Sequence, residues 1–529
     1  MGRDYGRSVV AARQGIAATS QTLASQSAAQ ILAQGGSAVD AAITANAVLA
    51  VTEPMQCGPG GDLFVLHREG ATGELTGLNA SGPAPRALSR EFMMSRGFTA
   101  MPLEGIHCVT VPGAVAGWGA MHARFGKLPW KTLFEAAIAY ATEGFGVAEG
   151  IAELWNDPAM LPKIPAVLRI GDRPPREGEL FRNSDLARTF KMIADDGPDA
   201  FYKGDIAAAI VKTAETMGGA VTAEDLAGFG PEWVEPISTE YKGWRVFELP
   251  PNGQGMAALE MLNIMEAADP ALPEVHKRIE AMKLAYEDVH CHNCDPRCNR
   301  IPVRELISKE YARERAKLID PKRANGSVFP GKPVGGDTTY LTVVDREGNI
   351  ASWIQSNYID FASGIAVNGF LLHNRGGAFT LEEGHPNVLA GGKRPFHTII
   401  PGLMQRGSRH IGFGIMGGPN QPMAHAQFVS NFVDFGMNVQ AAMEAPRFTK
   451  LTRGGNDVWI EARVARETIE QLVKFGHDIS VRAPYTQEMG RGQAILHDSA
   501  TGINFAASDP RADGSAIPEP IITHGHANS

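Results

Sequence analysis

The residue with the clearest chemical potential is a threonine that heads a strand-like run. Thr338 follows Asp337 and precedes the β-forming residues 339–344. A threonine hydroxyl is a poor nucleophile until a base removes its proton. A cut directly before Thr338 would free an α-amino group, whose reference pKa of about 7.7–8.0 makes it a base near neutral pH. The hydroxyl and its base would then belong to one residue.

The segment before Thr338 is suited to such a cut. Residues 322–337 hold two prolines and four glycines with hardly any periodicity, which predicts an exposed, mobile loop. Gly-Asp-Thr-Thr is also what an ordinary strand start looks like. These residues alone therefore leave a structural and a catalytic interpretation open.

A second group of residues with chemical potential is rich in cysteine and histidine. It consists of His290, Cys291, His292, Cys294 and Cys298. Soft ligands at this spacing could hold one tetrahedral Zn²⁺. A second Cys-x-x-Cys pair is absent and all candidates lie within nine residues. We therefore favour a polar loop after a helix that ends near Tyr286, with no metal ion and no cofactor.

The elements of the first two thirds follow from periodicity and turn residues. Residues 20–36 and 37–53 predict two Ala-rich helices, capped by Ser20 and Ser37. The Gly-rich residues 57–62 then enter a strand at 63–67. Because phosphate loops run from a strand into a helix, we interpret this loop as a structural turn. The stretch 112–330 predicts mostly helices, including 130–143, 185–195 and 206–217.

Beyond residue 338 the pattern changes to strands. Residues 339–344 and 350–355 flank the turn-forming 345–349, which predicts an antiparallel hairpin. Further strands are expected at 370–372, 397–400, 411–415, 458–460 and 493–496, and helices at 422–435 and 466–474. Helices mixed with antiparallel hairpins indicate an α+β fold.

Composition narrows the class of protein. The 529 residues carry 49 Lys and Arg against 58 Asp and Glu, a formal charge of −9, with 44% hydrophobic and 20% charged residues. This is typical of a globular protein and argues against nucleic acid or an anionic membrane as a partner. We find no secretory leader, no run long enough to span a bilayer and only five cysteines. We therefore expect a cytoplasmic protein with reduced thiols.

The run that contains Thr338 resembles the cleavage-site signature of the γ-glutamyltranspeptidase family. Members are N-terminal nucleophile (Ntn) hydrolases that cut themselves before this threonine. The signature here is DTTYLTVVDREGN, residues 337–349. The similarity extends from Arg7 to Pro518. Supporting matches, in order, are GGSAVDAA at 35–42, VPGAVAG at 111–117, KRP at 393–395, MGG at 416–418, APRF at 445–448 and SDPR at 508–511.

The resemblance implies a fold and a set of catalytic residues. The fold is a four-layer αββα sandwich, formed jointly by a heavy fragment (1–337) and a light fragment (338–529) after a cut between Asp337 and Thr338. The family's nucleophile falls on Thr338 and its oxyanion-hole glycines on Gly417 and Gly418. A hydroxyl that orients the nucleophile falls on Ser356. The glycines could equally serve a turn, and Ser356 could be an ordinary strand serine.

The residues that bind substrate in typical members are replaced. The family's Arg for the α-carboxylate falls near Ser81, and Arg86 lies too far along the chain to substitute without a shift. Ala378 stands where the family has an Asp for the α-amino group, and His397 and Thr398 stand where it has a pair of serines. Hydrogen bonds to charged groups contribute about 1.5–3 kcal/mol each, so binding of a γ-glutamyl group should be weakened.

A different polar set remains, made up of Arg375, Asn357, His397 and Thr398. An Arg fork suits a carboxylate. We therefore hypothesise a small amide whose acyl group carries an anion held by Arg375. Oxamate amidohydrolases and cephalosporin-acylase-like enzymes, which resemble this family, supply the precedent. Arg375 could instead be a structural or solvated residue.

Three functions compete on this evidence. The first is a self-cleaving Ntn amidohydrolase that passes its acyl group to water or an amine. The second is an ordinary γ-glutamyltransferase or glutathione hydrolase whose clamp uses unaligned residues. The third is a catalytically inert binding protein, which an intact Thr338, Gly417 and Gly418 argue against. The sequence does not decide whether the chain forms a homo-oligomer.

The self-cleavage hypothesis predicts a specific pair of masses. Purified wild-type protein should contain a fragment of residues 338–529, about 20 kDa by its share of the chain length. Thr338→Ala should stay whole because it lacks the attacking hydroxyl. Intact mass spectrometry of the two proteins checks this. A wild-type chain that remains whole after long incubation would exclude Thr338 as an N-terminal nucleophile.

Overall fold

A computed structural model describes residues 5–326, 337–450 and 455–521. The strands are β1 (Val10–Ala12), β2 (Ile16–Thr19), β3 (Asp62–Arg68), β4 (Leu75–Ala80), β5 (Phe145–Gly146), β6 (Leu180–Phe181), β7 (Glu232–Val234), β8 (Ile237–Tyr241), β9 (Trp244–Glu248), β10 (Asp337–Val344), β11 (Ile350–Tyr358), β12 (Ala366–Val367), β13 (Phe370–Leu371), β14 (Gly402–Arg406), β15 (Arg409–Ile415), β16 (Phe448–Thr449), β17 (Asp457–Glu461), β18 (Asp478–Arg482), β19 (Gly492–Asp498), β20 (Ile503–Ser508) and β21 (Ser515–Pro518).

Helices cover much of the remainder. They are α1 (Thr22–Ala33), α2 (Ala38–Thr52), α3 (Arg90–Met94), α4 (Ala114–Phe125), α5 (Glu135–Glu143), α6 (Glu149–Trp155), α7 (Ser184–Asp196), α8 (Asp199–Tyr202), α9 (Asp205–Thr216), α10 (Ala223–Ala227), α11 (Gly255–Ala267), α12 (Glu274–His292), α13 (Val303–Leu306), α14 (Lys309–Ala316), α15 (Gln421–Asp434), α16 (Val439–Glu444) and α17 (Arg466–Lys474). Short 3-10 helices include Trp130–Phe134, Arg375–Ala378 and Gly418–Asn420.

Two antiparallel sheets form the centre of the molecule. One has the strand order β21-β2-β10-β11-β3-β4-β7, and the other β1-β20-β19-β15-β14-β9-β8. Apolar side chains such as Phe64, Tyr340 and Ile354 fill the space between them. Helices α1 and α2 cover the outer face of the first sheet, and α11 and α15 cover the second. The layers are therefore helix, sheet, sheet and helix, as the resemblance predicts.

Helix α2 shows how the sequence fixes these layers. Ser37 accepts a hydrogen bond from the N–H of Asp40, and the Asp40 carboxylate accepts one from the N–H of Ser37, a capping box. Every residue of α2 is buried, and its many alanines let it lie close to β10 and β11. Asp345, in the turn between those strands, accepts a hydrogen bond from the N–H of Ala38 at 3.0 Å. The helix is thus fixed to the hairpin that carries Thr338.

Most expected elements are confirmed within a few residues, and four differ. Helix α1 is capped by Gln21 rather than Ser20. The expected helix 130–143 begins as a 3-10 turn and becomes α5 only at Glu135. No strand forms at 397–400, where His397 donates its N–H to the Asn252 carbonyl instead. The mostly helical stretch 112–330 also contains β7, β8 and β9, short strands that complete both sheets.

Three further expectations concern a helix end, a membrane span and a loop. The helix expected to end near Tyr286 is α12, which continues to His292. Within the described residues, no helix is long and apolar enough to cross a membrane. Most of the loop expected at 322–337 lies outside the described residues.

Candidate functional site

Three adjacent strands bring polar side chains to one end of the first sheet. Ser356 on β11 is paired with Asp62 on β3, and Thr338 lies at the start of β10 beside β11. Side chains alternate between the faces of a strand. Tyr340, Ile354 and Phe64, two residues further along, lie between the sheets. Thr338, Ser356 and Asp62 are therefore directed towards the space between the two sheets.

The Thr338 hydroxyl is held in one orientation. The β10–β11 register shifts between Asp337 and Thr339, an irregularity of the kind that re-aims a side chain next to an active site. Thr338 is 1% exposed, and its Oγ1 donates a hydrogen bond to Ser356 Oγ at 3.0 Å. Ser356 Oγ also accepts the N–H of Tyr358 at 2.7 Å. The hydroxyl that the resemblance assigns to orientation does contact the predicted nucleophile.

Gly417 and Gly418 follow β15, the strand of the second sheet that faces β10. Gly414 of β15 lies against the Tyr340 ring and Gly412 against Thr342, so the facing positions continue towards Thr338 and Gly417. Their φ values are +134° for Gly417 and +57° for Gly418, which favour glycine. Among the described residues, neither N–H donates a hydrogen bond. Two backbone donors thus follow the end of β15, in the second sheet, and are available for an oxyanion hole.

Asp62 binds three cationic or imidazole side chains. Its Oδ2 lies 2.9 Å from His397 Nε2, 3.2 Å from His373 Nδ1 and 3.5 Å from Arg375 Nε, and all four side chains are fully buried. Burial alone would raise the pKa of Asp62, but the contacts with His373 and His397 outweigh it and hold that pKa well below its usual range. Asp62 is therefore an anion.

The charges of two of its partners, His397 and Arg375, follow from their surroundings. Burial, reinforced by the neighbouring Arg375, lowers the pKa of His397 to about 3, so this imidazole is neutral at ordinary pH. Burial also lowers the pKa of Arg375, to about 10, with Asp62 opposing the shift. Arg375 therefore remains a cation.

Arg375 is connected to the rest of the site by polar and aromatic contacts. Its Nη1 donates to Thr398 Oγ1 at 2.9 Å, and its guanidinium lies 4.2 Å from the centre of the Tyr358 ring. Its Nη2 has no hydrogen-bond partner among the described residues. Gln254 Nε2 donates to the carbonyls of Thr398, at 2.6 Å, and Gly418, at 2.9 Å. Arg375, Thr398 and the Gly417-Gly418 turn therefore form one network.

A cavity of about 710 Å³ opens beside this network. Tyr358, Thr398, Gln254 and Pro419 form its inner wall, and Ala378 also lines it. This volume lies in the range of sites that bind drug-sized molecules.

The structure does not bring every predicted residue to this site. Asn357 follows Ser356 and faces the other way, where its Nδ2 donates to the Pro54 carbonyl at 3.4 Å. Arg86 is exposed and does not substitute for the missing Arg. Ser81 is buried and accepts a hydrogen bond from Asn252 Nδ2 at 3.2 Å. The substrate role of Asn357 stays a prediction without support from this geometry.

Four residues that the sequence analysis missed belong to the network: Asp62, His373, Tyr358 and Gln254. The loop before Asp62 does form a structural turn. It packs so closely that a Cβ at Gly60 or Gly61 would collide with a neighbouring backbone carbonyl. Asp62 directly follows Gly-Gly at a strand start, but its burial and its partners are not visible in the sequence. Tyr358 has a left-handed φ of 86°, a strained conformation that no sequence pattern reveals.

The cysteine group has a geometry different from the loop expected for it. Cys291 and Cys298 are exposed, Cys294 is buried, and Cys291 belongs to helix α12. Within the described residues, the group whose ligand atoms lie close enough for a metal ion is His276, Glu280 and His477. There the two imidazoles hydrogen-bond each other at 2.8 Å, and Lys283 binds Glu280 at 2.7 Å.

Comparisons with known proteins agree with this geometry. The profile of the family described as Gamma-glutamyltranspeptidase matches residues 24–519. The glutathione hydrolase-like YwrD proenzyme of Bacillus subtilis is 35% identical, over 94% of this chain and 96% of that protein. The oxamate amidohydrolase proenzyme of Klebsiella pneumoniae is 33% identical, over 95% and 98%. The crystal structure of a cephalosporin acylase from Bacillus halodurans superposes with a TM-score of 0.89, at 39% identity and 98% coverage of both chains.

The Asp62 cluster generates a stability prediction. Asp62→Asn should lower the free energy of unfolding by about 3–5 kcal/mol, because Arg375 then loses its buried counter-charge. Urea unfolding of the uncut Thr338→Ala chain, with and without Asp62→Asn, measures the difference. Asp172→Asn, in an exposed turn, is the matched control and should change stability little. Equal stability of the Asp62 and Asp172 variants would contradict the role given to Asp62.

Proposed function

The chain belongs to the γ-glutamyltranspeptidase family of Ntn hydrolases, and from that premise we propose that it is a self-cleaving amidohydrolase acting through an acyl-Thr338 intermediate. The observation that carries the proposal is the buried Thr338 hydroxyl, hydrogen-bonded to Ser356 at the end of the first sheet. Related proteins are named as an oxamate amidohydrolase, a glutathione hydrolase and an acylase, which supports the reaction class.

Self-cleavage uses the hydroxyl first. Thr338 Oγ1 attacks the carbonyl carbon of Asp337, its proton passes to the departing Thr338 nitrogen, and an ester replaces the peptide bond. Water then hydrolyses the ester, which leaves a carboxylate on Asp337 and a free α-amino group on Thr338. The products are the fragments 1–337 and 338–529, held together by the shared sheet in which β10 pairs with β2 of the other fragment.

Turnover repeats this chemistry on an external amide. The freed α-amino group accepts the Oγ1 proton as Oγ1 attacks the substrate carbonyl, and the N–H groups of Gly417 and Gly418 stabilise the negative charge on its oxygen. The proton passes to the departing amine, which leaves an acyl ester on Thr338. Water, activated by the α-amino group of Thr338, then releases the acid. An amine acceptor in place of water would give transfer instead. Ser356 keeps Oγ1 oriented throughout.

The polar network supports an anionic acyl group rather than a γ-glutamyl group. Arg375 retains its charge, and its Nη2 has no hydrogen-bond partner among the described residues. An ammonium group would meet the methyl of Ala378 instead of a carboxylate. An oxamate amidohydrolase and an acylase are among the relatives, so proteins similar to this chain include ones not named for glutathione.

Substitution of Arg375 tests the anionic substrate. Arg375→Lys keeps the buried charge but loses the planar fork, so kcat/KM for glutaryl p-nitroanilide should fall by about tenfold or more. Hydrolysis of the neutral butyryl p-nitroanilide should change little. Self-cleavage, measured by intact mass, shows whether the variant folds. An equal loss on both anilides would show that Arg375 is structural and does not bind substrate.

A further inference from the structure

The cavity beside the catalytic network is much larger than a two-carbon acyl group needs. Its volume is about 710 Å³. Its wall includes six large apolar side chains: Met101, Leu103, Val289, Phe379, Leu381 and Phe396. Phe379 and Leu381 line the cavity and are nevertheless buried, because neighbouring side chains cover most of their surface. An oxalyl group would leave most of this wall without contact.

The cavity adjoins side chains that contact Arg375, although the fully buried Arg375 does not itself line it. Tyr358 and Thr398 both contact Arg375, and both line the cavity. Pro419, on the other side, directly follows Gly418. An acyl group whose anion reaches Arg375 therefore has its remaining atoms beside the apolar wall.

The wall also carries polar side chains. Those of Gln254, Asn293 and Asn387 already donate to backbone carbonyls, and the His290 and His385 rings lie against each other. Glu382 is exposed, and Lys450 forms an ion pair with Asp457. Ala378 presents a methyl group to the cavity. Water released from an apolar surface of this kind favours an apolar occupant.

We propose that the acyl group is an anion with a bulky apolar body, either an aromatic ring or a branched or medium-length alkyl chain, which fills this cavity. The inference rests on the proposed function and specifies its substrate class. It places the compact oxalyl and the zwitterionic γ-glutamyl groups among the poor substrates.

A matched set of anilides tests this assignment. Oxalyl, glutaryl, 3-phenylglutaryl and γ-glutamyl p-nitroanilides share one leaving group and differ in their acyl parts. We expect kcat/KM for the 3-phenylglutaryl compound to exceed that for the glutaryl compound by about tenfold or more, since each buried methylene contributes severalfold. A glutaryl or oxalyl preference would overturn the proposal.

A cavity-filling variant locates the effect. Ala378→Phe should abolish the preference for 3-phenylglutaryl over glutaryl because its ring takes the place of the substrate's ring. Ala500→Phe, in the exposed β19–β20 turn, is the control and should keep the preference. If Ala378→Phe self-cleaves and keeps the full preference, the apolar group binds elsewhere and the proposal is wrong.

The design separates two failures. If wild-type protein neither cuts itself nor hydrolyses any of the anilides, the proposed function fails. If it cuts itself and hydrolyses glutaryl p-nitroanilide at least as well as the 3-phenylglutaryl compound, the amidohydrolase assignment stands and the apolar acyl group is rejected.

Discussion

The buried carboxylate of Asp62 is the interaction on which the site depends. It lies within 3.5 Å of nitrogen atoms from Arg375, His373 and His397, which come from two segments C-terminal to Thr338, residues 373–375 and residue 397. Ionised groups without partners are costly in a protein interior. The Asp62 carboxylate offsets much of the free-energy cost of burying the Arg375 cation. It comes from β3, in the heavy fragment, so the two proposed fragments complete one charge network.

The layered fold positions that network without contributing chemistry of its own. Helix α2 fixes the β10–β11 hairpin from one side, and the core between the sheets fixes it from the other. The start of β10 is then free to present Thr338 to Ser356, and the end of β15 to present the Gly417-Gly418 turn. A rigid sheet end of this kind keeps the hydroxyl and the oxyanion donors in fixed register.

Local sequence patterns predicted the helices and strands well, but they did not predict which distant residues contact each other. The capping box at Ser37 and the turn at residues 345–349 are encoded within a few residues, so α2 and the β10–β11 hairpin could be predicted. Thr338, Ser356 and the two glycines were identified through family resemblance, because a nucleophilic threonine has no local signature of its own. Asp62 and His373 could not be found from local patterns, because Asp62 lies more than 300 residues along the chain from both of its imidazole partners, His373 and His397. Asn357 shows a second limit: it adjoins Ser356 along the chain, but neighbours in a strand face opposite sides.

The central claim is that Thr338 carries the acyl group, and the most direct measurement is to locate that group. Cut enzyme turning over glutaryl p-nitroanilide would be quenched in acid, and the light fragment would be analysed by intact mass and by peptide fragmentation. The account predicts an added glutaryl mass on the first residue of the light fragment, Thr338. A glutaryl group on any other residue, or steady turnover with a light fragment that is never acylated, would contradict it.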